Sequence, residues 1–259
     1  MAFFDGSSAR IHYEDTEGGG AAIVFSHGIL MDTEMFAPQV RSLSSEFRCV
    51  SWDQRGHGRT TQEGSFTYWD SAQDLISLLD HLELDHAFLV GMSQGGFLSQ
   101  RVALLAPERV NGLALIDSQA GSEDPALVSA YDAFFEAWME EPTIELAEMV
   151  AGVILGPTDH EPWVSRWMAR PKEWVREPYK TLVGREDLHD RLHEISCPAL
   201  VIHGELDAAI PMARAEALCA GLQSCDGLLR IPDAGHASNL SHPGVVTEAL
   251  RDFFRRHSA

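Results

Sequence analysis

A serine flanked by glycines stands where an apolar run gives way to a helical run. The pentapeptide Gly91-Met92-Ser93-Gln94-Gly95 follows HAFLV and precedes a stretch with helical spacing. In this strand–turn–helix context the glycines permit a sharp turn that exposes the serine, and the helix N-terminus beneath it supplies positive potential. We therefore predict that Ser93 is a nucleophile that forms a covalent acyl intermediate.

Two further residues are expected to make this hydroxyl reactive. A serine is a weak nucleophile without an adjacent base, and the base needs an acid that fixes its tautomer. The predicted base is His236, in the segment PDAGHASNLSHP, and the predicted acid is Asp207, just past the run PALVIHG. The chain order serine, aspartate, histidine is the one expected for this motif. Two alternatives stay open: His242 as the base, and Asp117, at the end of an earlier apolar run, as the acid.

Acyl transfer also needs donors for the negative oxygen that develops in the transition state. One predicted donor is the backbone N–H of Gln94, directly after the serine. The other is the N–H of Ile29 in the segment FSHGILM, where Gly28 lets the backbone turn toward the serine. The side chain of Gln94 is in addition a candidate for the wall of the pocket.

Apolar runs and amphipathic runs alternate along the chain, and this alternation has to position the reactive residues. The apolar runs predict strands at 21–28, 47–53, 86–93, 110–120, 199–207 and 227–236. Helical spacing follows the first strand up to Glu46 and recurs at 68–84, 95–108, 212–222 and 245–257. Strands that alternate with helices of this length predict an α/β fold, with a mostly parallel central sheet covered by helices on both faces.

One segment interrupts the alternation. Residues 122–193 have no strand pattern, only helical stretches cut by prolines, and they contain four of the six tryptophans. We predict a helical cap (122–193) inserted before the penultimate strand of a core formed by 1–121 and 194–259. Most of its apolar residues should pack the cap onto the core, and a subset should line a pocket at the junction. The candidate substrate-binding residues are Trp138, Trp163, Trp167 and Met149.

The composition narrows the range of partners and locations. The chain has 39 acidic and 19 basic residues and a net charge of −20, which disfavours binding to nucleic acid and to anionic membranes. No run of about 18 apolar residues occurs, and the first residues do not form a signal peptide. The four cysteines show no paired spacing, and Cys49 and Cys197 lie in or beside apolar runs, as reduced thiols do. We therefore predict a cytoplasmic protein that acts on a small molecule.

One short pattern suggests metal chemistry only weakly. The sequence HDRLH places His189 and His193 four residues apart, a spacing at which two histidines can bind zinc. No third ligand is evident, and a solvated helix face is the favoured interpretation. The sequence predicts neither a metal nor an organic cofactor.

The motifs together resemble those of α/β-hydrolase-fold esterases and lactonases with a lid, and they are similar to those of 3-oxoadipate enol-lactonases and cofactor-free haloperoxidases. The matching pieces are SHGILMD, WDQRGHGRT, GMSQGG, APERVNGLALID, GELDAAIP and DAGHASNLSHP. The resemblance implies an α/β-hydrolase fold, hydrolysis of a carboxylic ester or lactone without a cofactor, and an oxyanion amide at Ile29. Epoxide hydrolases and haloalkane dehalogenases share the fold but carry an aspartate at the elbow, so Ser93 argues against both.

The apolar cap predicts a medium-sized, mostly apolar ester or lactone as the substrate. The same three residues could also hydrolyse a carbon–carbon bond in a vinylogous keto acid or catalyse perhydrolysis. The first of these reactions calls for basic or amide groups in the pocket, and the sequence offers Gln94 but no obvious arginine. A ligand-sensing or partner-binding protein with slow residual hydrolysis is the alternative from a different class.

Overall fold

The apolar runs of the sequence form one mixed β-sheet. The computed structural model describes residues 2–6 and 8–258. Within that part of the chain the sheet has nine strands: β1 (Ala2–Asp5), β2 (Ala9–Asp15), β3 (Ala22–Ser26), β4 (Arg48–Trp52), β5 (Thr61–Gln62), β6 (Ala87–Met92), β7 (Val110–Ile116), β8 (Ala199–Gly204) and β9 (Cys225–Ile231). The strand order is β1-β2-β4-β3-β6-β7-β8-β9, and β5 pairs with β2.

One strand of the sheet, β2, runs in the direction opposite to that of its neighbours. β2 pairs antiparallel with β1, β4 and β5, whereas β4, β3, β6, β7, β8 and β9 run parallel to one another. Every residue of β3, β6 and β8 is buried. Burial on both faces explains why these strands are continuous apolar runs without alternation.

The helices cover both faces of the sheet. They are α1 (Ala37–Leu43), α2 (Tyr68–His81), α3 (Gln94–Leu105), α4 (Pro125–Glu140), α5 (Ile144–Leu155), α6 (Glu161–Met168), α7 (Arg176–Val183), α8 (Met212–Gly221), α9 (Ser238–Ser241) and α10 (Pro243–His257). Short 3₁₀ helices lie at Thr33–Phe36, Pro107–Arg109, Lys172–Val175 and His189–Glu194. Val24 and Leu89 pack into one apolar cluster with α2, α3 and α8, and Phe25 and Val90 pack into another with α1 and α10. Successive strand residues point to opposite faces, so the two clusters lie on opposite sides of the sheet.

The predicted fold class is confirmed, since the chain is a mostly parallel sheet flanked by helices. The antiparallel strands β1, β2 and β5 were not predicted, because short edge strands lack a long apolar run. Between β7 and β8 the chain forms α4 to α7 and two of the 3₁₀ helices, and residues 122–193 contain no strand. The division into a core and a cap at these boundaries stays a prediction.

Two of the four cysteines are paired, although their spacing in the sequence gave no sign of it. Cys219 at the end of α8 and Cys225 at the start of β9 form a disulfide, with their Cα atoms 5.6 Å apart. Cys49 and Cys197 are free, and burial raises the pKa of their thiols to about 12 and about 11. Disulfides persist mainly in oxidising compartments, and the cytoplasmic location stays a prediction. Among the described helices, none combines the length and the apolar character needed to span a bilayer.

Candidate active site

Ser93 occupies a strained turn between β6 and α3. Its φ and ψ angles are 51° and −116°, which place a non-glycine residue in a rarely populated region of backbone space. The two glycines of the motif are required by close contacts. A Cβ atom on Gly91 would lie 2.2 Å from the carbonyl oxygen of Gly95, and a Cβ on Gly95 would lie 1.9 Å from that of Ser26. Packing of the turn against the start of α3 and against β3 therefore explains the two glycines of the motif.

The structure brings the predicted base and acid together at the carboxyl ends of β8 and β9. His236 Nδ1 lies 2.8 Å from Asp207 Oδ2. The other oxygen, Asp207 Oδ1, accepts the backbone N–H groups of Ala209 and Ile210, each at 2.8 Å. Both side chains are buried. The carboxylate is therefore fixed in place and can hold the imidazole in one tautomer and one orientation.

Asp207 and His236 shift each other's pKa. Burial raises the pKa of Asp207, but the charge and hydrogen bond of His236 and the amide of Ile210 outweigh burial, so the net shift of this pKa is downward. Burial lowers the pKa of His236, but the Asp207 charge and hydrogen bond outweigh it, so the net shift is upward. The pair thus favours a protonated imidazole, which is the form that follows proton transfer from a serine.

Ser93 and His236 meet at one cavity. Both residues line its wall, although no hydrogen bond joins the Ser93 hydroxyl to the imidazole among the described residues. Hydrogen bonds between catalytic groups are often long in a ligand-free protein and shorten when substrate binds. Both residues can therefore be reached by a ligand that occupies this cavity.

The alternative acid has other partners. Asp117 Oδ1 accepts the N–H of Gly204 and Oδ2 accepts the N–H of Ser238, both at 2.9 Å. Burial, followed by repulsion from Asp207, raises the pKa of Asp117 to about 7. The alternative base, His242, has its Nδ1 3.0 Å from Ser241 Oγ and does not line the cavity. The geometry therefore favours His236 and Asp207 over both alternatives.

The predicted oxyanion donors come from the residue after the serine and from the loop after β3, which lines the same cavity. Gln94 is the first residue of α3, so its N–H has no acceptor within the helix. The N–H of Ile29 lies in the loop after β3 and has no acceptor among the described residues. A Cβ on Gly28 would lie 2.6 Å from Met92 Sδ, so this glycine lets the loop approach the nucleophile turn closely.

The side chain of Gln94 is not part of the cavity wall. Its Oε1 accepts the hydroxyl of Tyr68 at 3.2 Å, and its Nε2 lies 3.3 Å from Nε2 of His57. These groups form a buried polar cluster beneath the turn. The expectation that the Gln94 side chain lines the pocket is therefore wrong, because this cluster holds it away from the cavity.

The cavity has a volume of about 320 Å³ and is mostly apolar. Its walls come from the loop after β3 and from helices of the insertion, including Phe134 and Phe135 of α4 and Met149 and Val153 of α5. Met149 therefore lies where the sequence predicted it, although it is also 67% exposed to solvent. The size and apolar lining suit a small organic ligand.

The three predicted tryptophans do not line this cavity. Trp138, Trp163 and Trp167 are buried in the apolar cluster that joins the inserted helices to the sheet. Trp167 Nε1 donates to the carbonyl oxygen of Leu30 at 2.7 Å. Their assignment as substrate-binding residues is corrected to a packing role, since their large apolar surfaces are covered by the protein itself.

The cavity wall contains polar residues that the sequence analysis did not select. They are Gln119, Glu123, Tyr131, Tyr179 and Arg185. Gln119 follows β7 at the carboxyl edge of the sheet, where ligands of α/β proteins bind, and this position could have identified it. Arg185 gives no comparable signal, because it lies in a charged segment with no strand or motif around it.

The metal-like pattern forms no metal site. His189 and His193 lie on a 3₁₀ helix, in which residues four apart do not share a face, and His189 Nδ1 lies 2.8 Å from Asp187 Oδ1. Within the described part of the chain only Asp117, His203 and Asp207 cluster as metal ligands do. His203 Nε2 donates to the carbonyl oxygen of Ile210 at 2.8 Å, and both carboxylates bind the groups described above. All three side chains therefore already have hydrogen-bond partners within the protein.

The fold and the candidate site together indicate the class of protein to which the chain belongs. Residues 21–243 match the family model for the alpha/beta hydrolase fold, and the chain belongs to this family. It is 28% identical to a putative carbamate hydrolase RutD of Rhizobium rhizogenes, over 91% of this chain and 93% of the relative. It is 26% identical to 3-oxoadipate enol-lactonase 2 of Acinetobacter baylyi, over 91% of this chain and 89% of the relative. A thermophilic esterase from Thermogutta terrifontis superposes with a TM-score of 0.88 at 29% identity, covering 97% of this chain and 95% of that one.

Proposed function

We propose that this protein is a serine hydrolase that cleaves a carboxylic ester or lactone through an acyl-enzyme. One observation carries the proposal: His236, which is hydrogen-bonded to Asp207, lines the same apolar cavity as Ser93. Ser93 itself lies in a strained turn. A nucleophile, a base and an oriented acid converging on one ligand-sized cavity are the parts that acyl transfer needs.

The reaction starts with attack of Ser93 Oγ on the substrate carbonyl carbon. His236 Nε2 takes the hydroxyl proton, and the carbonyl oxygen becomes an oxyanion that accepts the N–H groups of Ile29 and Gln94. When the intermediate collapses, the bond to the alkoxy oxygen breaks, and His236 returns its proton to the leaving alcohol. In a lactone this alcohol stays attached to the acyl group.

A water molecule then completes the cycle. His236 removes a proton from the water as it attacks the acyl carbon, and a second oxyanion forms between the same two amides. Collapse releases the carboxylic acid, and Ser93 regains its proton from His236. Asp207 stabilises the imidazolium in both halves of the reaction without becoming protonated.

The walls of the cavity and two of the relatives support an ester or lactone substrate that is mostly apolar. The names of the enol-lactonase and the esterase indicate that these two proteins act on lactone and ester bonds. The RutD relative favours a second candidate, a carbamate, whose carbonyl carbon the same residues could attack. Carbamates are less electrophilic than esters, so turnover of matched ester and carbamate substrates separates the two activities.

The proposal is tested with para-nitrophenyl esters of increasing acyl length and a matched para-nitrophenyl carbamate. We expect rapid, repeated turnover of at least one ester and labelling by a phosphonate of the peptide that contains Ser93. Replacing Ser93 by Ala should lower kcat by roughly a millionfold, the size of loss known for subtilisin. Ser77→Ala, on the surface of α2, is the matched control and should keep full activity. Retained activity in Ser93→Ala would contradict the mechanism, and a single slow turnover with persistent acylation would favour a sensor.

A further inference from the structure

Two helices of the insertion contribute to the cavity wall with the same residue spacing. The lining residues of α4 are Ala130, Tyr131, Phe134 and Phe135, and those of α5 are Met149, Val150, Val153 and Ile154. On both helices these are positions i, i+1, i+4 and i+5, which fall within one broad face of an α-helix. Each helix therefore turns one face toward the cavity, and Tyr131 alone among these eight side chains carries a polar group.

The cavity is open to solvent on the side of these two helices. Among the described residues that line it, only three are exposed, namely Ala130 on α4 and Met149 and Val153 on α5. Met149 is 67% exposed and Val153 is 44% exposed. We call these three residues the cavity rim. A ligand that reaches Ser93 can therefore extend out of the cavity past the cavity rim without displacing any buried residue.

The end of α5 lies against the loop that carries the proposed base. A Cβ atom on Gly235, the residue before His236, would lie 3.9 Å from the Cα atom of Gly156, the residue after α5. Met149 precedes Gly156 by seven residues, a distance of about 10 Å along a helix. The lining face of α5 therefore extends from the neighbourhood of His236 to the surface of the protein.

The charges on the two helices narrow what could cover the cavity rim. Every charged residue of α4 and α5 is acidic and exposed, and these residues are Asp132, Glu136, Glu140, Glu145 and Glu148. Together with the net charge of −20 they repel an anionic membrane, a second copy of this chain and a ligand that ends in a carboxylate. An uncharged alkyl chain meets no such repulsion, and it gains free energy by leaving water for the apolar side chains.

We propose that the cavity rim binds an unbranched alkyl chain of the substrate, which starts at the reacting carbonyl group and is longer than the cavity can enclose. The inner part of the chain packs against the lining faces of α4 and α5. Its outer methylene groups cover Ala130, Met149 and Val153. The inference rests on the proposed hydrolase activity and names its substrate class: an uncharged ester or lactone with a long unbranched chain.

Two series of esters test the cavity rim, one for each side of the bond that is cleaved. The first contains the para-nitrophenyl esters of butanoic, hexanoic, octanoic and decanoic acid, and the second contains the acetates of the alcohols of the same lengths. All are assayed below their critical micelle concentrations. We expect kcat/KM to rise in at least one series by up to about four-fold for each methylene group that is buried. The series in which it rises shows whether the acid or the alcohol carries the chain.

Polar substitutions isolate the contribution of the cavity rim. In the double variant Met149→Gln with Val153→Thr the side chains keep their approximate size. We expect the ratio of kcat/KM for the ten-carbon ester to that for the four-carbon ester to fall roughly three- to ten-fold. This ratio separates a loss of chain binding from a general loss of activity. The matched control is Ile144→Gln with Val245→Thr, at positions that are 60% and 52% exposed but do not line the cavity, and it should leave the ratio unchanged.

Three results would overturn the inference. The first is an equal ratio in the native protein and in the double variant. The second is an effect of chain length that occurs only above the critical micelle concentration, which would assign the cavity rim to a lipid surface. The third is a dimer that the double variant dissociates in analytical ultracentrifugation, which would assign it to a second copy of the chain.

Failure of the hydrolase proposal is recognised separately, since then no ester is turned over. In that case calorimetry with 2-hexanone and 2-decanone decides the inference without catalysis. Tighter binding of 2-decanone than of 2-hexanone by the native protein, with a smaller difference in the double variant, supports the cavity rim as the binding site of the chain. Equal binding of the two ketones by the native protein, an equal difference in both proteins, or no binding contradicts it.

Discussion

The carboxylate of Asp117 accepts the backbone N–H of Ser238 at 2.9 Å, two residues beyond the proposed base. Its second oxygen accepts the N–H of Gly204 at the end of β8, at the start of the loop that carries Asp207. One buried side chain therefore ties together the two loops that hold the acid and the base. Asp117 contacts only the backbone of these two loops, whereas Asp207 contacts the imidazole of His236 directly.

This difference predicts unequal effects of two amide substitutions. Asp207→Asn should lower kcat for a para-nitrophenyl ester by roughly 10⁴-fold, because the amide favours the wrong tautomer of His236. Asp117→Asn keeps one acceptor oxygen and should lower kcat by about ten-fold or less. Steady-state kinetics on both purified variants measure the order. The reverse order would make Asp117 the acid of the triad.

The raised pKa of His236 predicts the pH dependence of activity. The imidazole acts as a base only when neutral, so kcat/KM should rise with pH through an apparent pKa above the ordinary histidine value of 6.5. In Asp207→Asn the charge that raises the pKa of His236 is lost, while burial still lowers this pKa. The rise of kcat/KM should therefore move to lower pH. Asp190→Asn, an exposed aspartate of the 3₁₀ helix His189–Glu194, is the control and should leave the profile in place. If activity rose at the same pH in Asp207→Asn as in the native protein, Asp207 would not be the group that raises the pKa of His236.

The raised pKa of Asp117 predicts how the free energy of unfolding depends on pH. Its pKa of about 7 in the fold exceeds the ordinary value of 3.8, so the folded protein binds a proton that the unfolded chain has released. Stability should therefore fall as pH rises from about 5 to about 6.5, with a slope of up to about 1.4 kcal/mol per pH unit from this group.

Denaturant unfolding across that range measures the slope. Asp117→Asn should make it flatter, because the amide does not titrate. His236 favours the folded state mainly below its unfolded pKa and loses that contribution only at higher pH, so it adds little in this window. An equal slope in the native protein and the variant would assign the pH dependence to another group.

The close contacts of the nucleophile turn predict the result of adding one methyl group. Gly95→Ala should destabilise the protein by at least about 3 kcal/mol or prevent folding, because its Cβ would overlap the carbonyl oxygen of Ser26. Gly152→Ala is the matched control inside α5, where a Cβ meets nothing within 4 Å. That substitution should raise the free energy of unfolding by about 0.5–1 kcal/mol. Thermal and denaturant unfolding compare the two.

The disulfide predicts a moderate contribution to stability. It closes a short segment, with a sequence separation of 6 between Cys219 and Cys225. Restriction of the unfolded chain by such a loop is worth roughly 2 kcal/mol. The paired substitution of both cysteines by serine should lower the free energy of unfolding by that amount, and dithiothreitol should destabilise the native protein but not the variant. A native protein insensitive to reductant would contradict the pairing.

The central sheet could be predicted, and candidate reactive residues could be selected, because their signals are local. Buried parallel strands are continuous apolar runs, and the turn at Ser93 requires glycines at fixed positions on either side. The order of Ser93, Asp207 and His236 follows from the order of the strands that carry them. The antiparallel edge strands β1, β2 and β5 are short, and nothing in their composition separates them from a loop.

The cavity wall could not be predicted, because its composition does not distinguish it from the core. Trp167 and Met149 are both large apolar residues of the insertion, yet the first is covered by the protein and the second lines the cavity. Arg185 reaches the wall only through contacts with Phe97 of α3 and with the segment between β7 and α4. Cys219 and Cys225 pair because the end of α8 meets the start of β9, a contact that their spacing alone does not reveal.

The insertion between neighbouring strands β7 and β8 has a consequence for how such a chain can diverge. The entropic cost of closing a loop grows only with the logarithm of its length, by about 0.6 kcal/mol for each doubling. The parallel pairing of β7 with β8 can therefore tolerate a longer, shorter or exchanged connection at small expense. Such changes would alter the walls of the cavity and leave the proposed catalytic residues in place, because Ser93 precedes this stretch and Asp207 and His236 follow it.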